Sequence, residues 1–168
     1  MVLAFEAFRS IYSHYYPVSK MLSIEALKFL GSSIKTAVFD GHNINARSNM
    51  LLGSMLAGKA FANSPVAAVH ALAYPIGGLF NISHGLSNSL VLPSVMKFNS
   101  INEETKKNYA NLAPFVFKDL DNSKSDEIVC NNFIDSLESL SKELKLPYRL
   151  RDLEIPEEAC QLLSLIHI

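Results

Sequence analysis

Cysteine is scarce in this chain. The two present, Cys130 and Cys160, both lie in helix-like stretches, which argues against a secreted disulfide scaffold and for a reducing compartment. An excess of one charge is also missing. Lys plus Arg total 15 and Asp plus Glu 16, for a formal net charge of -1. Such a balance offers no electrostatic footprint for nucleic acid or an anionic membrane surface. No window reaches the about 18 uncharged apolar residues of a membrane span, because Lys59, His70 and Pro75 interrupt the best candidate. The N-terminal run MVLAFEAFRSIYSHYY has no basic lead-in and no small-residue cleavage site, and Glu6 interrupts its apolar part. It therefore does not read as a signal peptide, and the expected location is cytoplasmic.

Two-residue alternation of apolar and polar side chains is nearly absent, and so is any Gly-x-Gly-x-x-Gly turn. These absences exclude a visible dinucleotide-binding α/β half and leave an all-α chain. No serine or cysteine sits in a recognisable nucleophile context, which disfavours a His–carboxylate hydrolase.

What is present is a globular composition, 49% hydrophobic and 18% charged over 168 residues, enough for one domain with a core. Apolar residues run from Met1 to the closing LSLIHI. Two readings stay open: both ends are buried, or the chain is a piece of a longer one.

The periodicity predicts a helix over 3–15, ended by Pro17, and a second over 20–38 capped by Ser19. A third, over 44–61 with Asn43 as cap, is rich in small residues (Gly53, Ala57, Gly58, Ala60) and is expected at the centre of the bundle. Ser64-Pro65 predicts the start of a fourth helix, ended by Gly77-Gly78. Ser83 is the expected cap of a fifth over 84–98, with a kink at Pro93. Asn102 opens a helix to about Leu112, a long amphipathic helix spans 126–145, and Ile155-Pro156-Glu157-Glu158 starts a last short one.

The stretch Asn63–Asn99 is apolar and small-residue-rich, yet carries His70 and His84. His70 falls mid-helix on one face with Ala67, Ala71 and Tyr74, and His84 falls at a helix start. They are 14 residues apart, so they meet only if the helix–loop–helix folds back. Spacing alone leaves both a buried structural histidine and a metal ligand open.

The run SPVAAVHALAYPIGGLFNISHGLSNSLVLPSVMKFN, with His-Ala-x-Ala, Pro-x-Gly-Gly and His-Gly ahead of Leu-Pro, resembles the helical domain of the iron-containing (group III) alcohol dehydrogenases. Ala4–Ser10, Ile24–Ala37, Asn45–Ala62 and Leu146–Glu158 resemble the family in the same order, over roughly residues 1 to 160.

The resemblance implies a multi-helix bundle of the dehydroquinate synthase-like type over residues 1–162, incomplete at both ends. Residues 163–168 are an unassigned tail whose native origin stays open. It further implies an NAD(P)-dependent, metal-dependent oxidoreductase interconverting an alcohol with an aldehyde or ketone. The metal, iron or zinc, is held by one aspartate and three histidines. His70 and His84 match two of these ligands, while the Glu6-Ala7 register puts Leu3 where the third histidine stands and the aspartate before Met1. A family position one turn after the first ligand, often histidine, is Tyr74 here; the resemblance puts it near the nicotinamide or substrate. The implied partners are a small alcohol or carbonyl, with no nucleic acid and no membrane, and a homo-oligomer stays open. With two ligands and the nucleotide domain unaccounted for, the expectation for the isolated chain is inactivity. The competing expectation is a non-catalytic helical structural or interaction protein derived from that domain.

Overall fold

A computed structural model of the chain describes residues 1–9, 17–64 and 67–159. Seven α-helices follow one another among them: α1 Val2–Arg9, α2 Pro17–Phe39, α3 Ile44–Phe61, α4 Ala68–Phe80, α5 His84–Asn99, α6 Glu103–Val116 and α7 Asp126–Glu143. A 3-10 turn at Leu150–Leu153 comes after them. No strand occurs among the described residues, so the all-α expectation holds. No helix there is long and apolar enough to cross a membrane.

The helices assemble as sequential pairs. α2 packs along α3, α4 along α5, and α6 along α7, while α1 touches α2, α3 and α5 and ties the pairs together. The core lies where these pairs meet. On α7 the buried Val129, Cys130, Phe133, Ile134, Leu137 and Leu140 recur at three- and four-residue spacing, the signature of a single apolar face. Phe133 is fully buried and meets the ring edges of Phe5 on α1 and Phe117 after α6, with centroids 5.7 and 5.9 Å away. Those contacts fix α1 against the bundle. Burial of such a ring stabilises by roughly 1.5–3 kcal/mol.

Caps set several helix starts. Asn43 Oδ1 accepts the Ala46 amide at 3.0 Å, as the sequence predicts, and Asn102 Oδ1 accepts that of Thr105 at 2.9 Å. Other expectations are corrected. α2 begins at Pro17 rather than at residue 20, because a helix's first turn has no use for the missing amide; the expected break before Pro17 lies outside the described residues. Ser19, expected as the cap, is consequently inside α2 and buried. α4 runs past Gly77-Gly78 to Phe80 and stops at Asn81, which takes the left-handed conformation at φ 52°. Gly77 serves close approach instead: a Cβ there would lie 3.2 Å from the Ile82 carbonyl oxygen.

α3 is not central. Its small face, Ala46, Gly53, Ala57 and Ala60, is buried, and a Cβ on Gly53 would come within 2.7 Å of Leu30 on α2. Its other face leaves Ile44, Leu51 and Met55 exposed. Small residues here permit contact on one side only. The helix predicted over 3–15 is present to Arg9, its remainder lying outside the described residues. α6 extends four residues beyond Leu112, to Val116. The 3-10 turn at Leu150–Leu153 precedes the predicted last helix, which is helical at Glu158 and Ala159 with its continuation lying outside the described residues.

Candidate metal centre

The site begins with a helix that lacks its own cap. Ala67 precedes α4 with an extended backbone and no side-chain cap. The first amides of any helix have no partner inside it. Ser64, predicted to supply one, is buried with its hydroxyl unpaired among the described residues; Pro65 lies outside them. The cap comes from another helix. Glu6 of α1 brings its Oε1 to the Val69 amide, which donates at 2.8 Å, and to that of His70, at 3.4 Å. A carboxylate is the group that the positive end of a helix favours.

The second oxygen of the same carboxylate, Oε2, pairs with Nδ1 of His70. Both residues are buried, Glu6 to 5% and His70 to 2% exposure. Burial of a charge is costly unless it is paired, and here the amides of Val69 and His70 together with the His70 ring satisfy it. His70 thus has one nitrogen engaged by Glu6. Nε2 is the nitrogen left for a partner from elsewhere.

Three rings gather at this point. The imidazole of His70 lies 5.3 Å from that of His84, centroid to centroid, and 5.9 Å from the ring of Tyr74; Tyr74 stacks on His84 at 5.7 Å. Phe61, at the end of α3, lies nearly parallel to His70 at 6.5 Å. The fold-back that unites them is the turn Asn81–Ser83 between α4 and α5. His84 is the first residue of α5 and is exposed, as is Tyr74. The cluster therefore has a buried end at Glu6–His70 and an open end at Tyr74–His84.

One turn into α5, Asn88 is buried beside His84. Its Nδ2 donates to the His84 carbonyl at 2.9 Å and lies 3.2 Å from Nε2 of that ring. Its Oδ1 is buried with no hydrogen-bond partner among the described residues.

The chemistry of the donor set can be tested against a divalent ion. Imidazoles binding one ion at metal–nitrogen distances of about 2.0–2.1 Å have centroids roughly 5 Å apart in tetrahedral geometry. The observed 5.3 Å suits that spacing. Among the described residues, no group of three or more His, Cys, Asp or Glu side chains is placed to hold a metal ion. The pair therefore has the spacing of two ligands of one ion, without a third such group beside it among the described residues. Leu3, one turn before Glu6 on α1, is partly buried against the hydrophobic core.

All three residues singled out in the sequence, His70, Tyr74 and His84, come together. Glu6 and Asn88 were missed as members of the site. For Glu6 a signal existed: an acidic residue inside an apolar helical stretch, flanked by Phe5, Ala7 and Phe8, has to find a partner once buried.

Residues 1–166 match the model of the Fe-containing alcohol dehydrogenase family, C-terminal. Long-chain-alcohol dehydrogenase 1 of Geobacillus thermodenitrificans is 37% identical over 164 residues, 96% of this chain and 40% of that protein. 1,3-Propanediol dehydrogenase of Citrobacter freundii is 34% identical over 141 residues, 84% of this chain and 36% of that one. The solved alcohol dehydrogenase from Oenococcus oeni superposes with a TM-score of 0.90 at 30% identity, covering 98% of this chain and 42% of that one. The chain thus spans less than half the length of each of these relatives.

Proposed function

The chain belongs to the Fe-containing alcohol dehydrogenase family, and from that premise we propose that it forms the metal-side helical half of an NAD(P)-dependent oxidoreductase interconverting a small alcohol with an aldehyde or ketone. His70 and His84 are two of the metal ligands, and residues 1–162 make up the domain that carries them. The observation that carries this reading is the pairing of a buried, Glu6-anchored imidazole with an exposed one at 5.3 Å. Packing alone does not call for two histidine rings at the turn between α4 and α5.

A divalent ion held by His70 and His84, iron or zinc, would supply Lewis-acid polarisation of a substrate oxygen, and NAD(P) would supply hydride chemistry. The chain's residues divide the remaining work. His70 presents Nε2 from a rigid, buried position. His84 presents its ring from the first turn of α5, at the open end. Tyr74, stacked on His84 and exposed, offers a hydroxyl to the substrate or nicotinamide. The family pattern puts the remaining ligand positions on α1's side, one turn before Glu6 and earlier; the Glu6–His70 contact, which brings α1 beside the histidine pair, supports that register. Leu3 occupies the nearer of those positions. On this reading, turnover of alcohol requires more than the two ligands that His70 and His84 supply. We assign the activity to the cytoplasm, without nucleic acid or membrane as partner, in keeping with the balanced charge.

One observation favours a second reading. Leu3 contributes its side chain to the core, which suits a helical structural or interaction protein that has given up the metal. Equilibrium dialysis of the purified chain against Co2+, with His84→Ala as control, separates the two. Uptake lost in His84→Ala supports the metal centre. A metal content unchanged by that substitution overturns it in favour of the structural protein.

A further inference from the structure

Glu6 lies outside the ligand set, yet its carboxylate is the group through which His70 is held. Its two oxygens have separate tasks. Oε1 takes the backbone amides of Val69 and His70, at 2.8 and 3.4 Å, and Oε2 takes the ring of His70 at Nδ1. Backbone and ring of His70 are thus anchored to one carboxylate, and the ring of Phe61 lies nearly parallel to the imidazole at 6.5 Å. A half-turn of the imidazole about its Cβ–Cγ bond would exchange Nδ1 for a carbon and lose the bond. The carboxylate receives hydrogen bonds and has none to give, so the neutral imidazole must carry its proton on Nδ1.

Resting on the metal-centre reading, we propose that Glu6 is a positioning residue: it fixes His70 as the Nδ1–H tautomer and so keeps the Nε2 lone pair available to a divalent cation shared with His84. Partners on the outer nitrogen of a histidine ligand govern its orientation and donor strength in this way.

Glu6→Gln separates this role from capping. The amides of Val69 and His70 are donors, so the glutamine oxygen must face them and its NH2 must face Nδ1. A donor would then meet a donor unless the imidazole proton moves to Nε2. The substitution keeps the shape and the cap but inverts the tautomer and blocks the nitrogen needed by the cation.

The test uses the whole chain with 15N-labelled histidine. Two-bond proton–nitrogen correlation spectra of the metal-free protein report the tautomer of the neutral ring. Wild type is expected to show Nδ1–H at His70, and Glu6→Gln to show Nε2–H. Co2+ titration should then give an affinity about 10–100-fold lower in Glu6→Gln than in wild type. An Nε2–H tautomer in the wild type overturns the proposal without need of any variant, and so does an unchanged tautomer in Glu6→Gln. If the tautomer inverts while Co2+ binding is equal in wild type, Glu6→Gln and His84→Ala, the metal reading fails and the Glu6 contact is left as a structural one.

Discussion

A Cβ placed on Gly31 of α2 would lie 2.4 Å from the carbonyl oxygen of Val116 at the end of α6. Backbone meets backbone there, with no flexible side chain to yield. Gly31→Ala should therefore destabilise the fold by about 1–3 kcal/mol through overpacking. Gly58 on α3 is the contrast, with nothing within 4 Å of its added Cβ. Gly58→Ala should stabilise by about 0.4–1 kcal/mol, by gaining helix propensity and restricting the unfolded chain. Urea unfolding followed by circular dichroism should move the two midpoints in opposite directions.

The helix caps make a second pair. Asn43 bonds the Ala46 amide, so Asn43→Ala should cost about 1 kcal/mol. Ser83 stands at the same position of α5 but makes no side-chain cap bond, and Ser83→Ala should change stability by less than about 0.5 kcal/mol. Thermal melts of the two variants side by side test the difference, which identical losses would contradict.

Cys130 is fully buried on α7, and desolvation raises its thiol above the ordinary value, against the opposing effects of Lys106 and a bond with Ser100. Native protein treated with a maleimide should leave Cys130 unlabelled, and unfolded protein should label fully, by peptide mapping. The sign for stability follows from the raised value. The unfolded thiol ionises first as pH rises, so the contribution of Cys130 is intact below the unfolded value of about 8.5 and is lost above it. Cys130→Ala should flatten that alkaline decline.

Tyr74 stacks on His84 yet carries a phenol, not an imidazole. Tyr74→Phe keeps the ring and removes only the hydroxyl, so Co2+ affinity should stay within about twofold, under 0.5 kcal/mol. A tenfold loss on titration would make Tyr74 a ligand and revise its proposed place beside substrate.

Much of the helical framework was legible in the residues. The face of α7 from Val129 to Leu140 repeats at helical spacing, and Asn43 and Asn102 announce the starts they cap. Errors arose where a local signal had a non-local competitor. Ser64 looks like the cap of α4, but Glu6 holds the amides of Val69 and His70 instead. Gly77-Gly78 looks like a stop, yet Gly77 accommodates the turn folding back beneath it. Small residues on α3 signalled close contact correctly, without telling how many sides would be covered.

For the candidate site the division is equally physical. Periodicity, capping residues and the register of His70 and His84 within one long pattern depend on neighbours a few positions away, and these determined the helical class and the family from the chain alone. The tertiary structure decided what His70 faces. Its ring meets His84, 14 positions on, because the turn at Asn81 reverses the chain. It meets Glu6, 64 positions back, because Phe5 beside Phe133 seats α1 in the core. No periodicity within either segment encodes those encounters; they exist only once the apolar faces have packed.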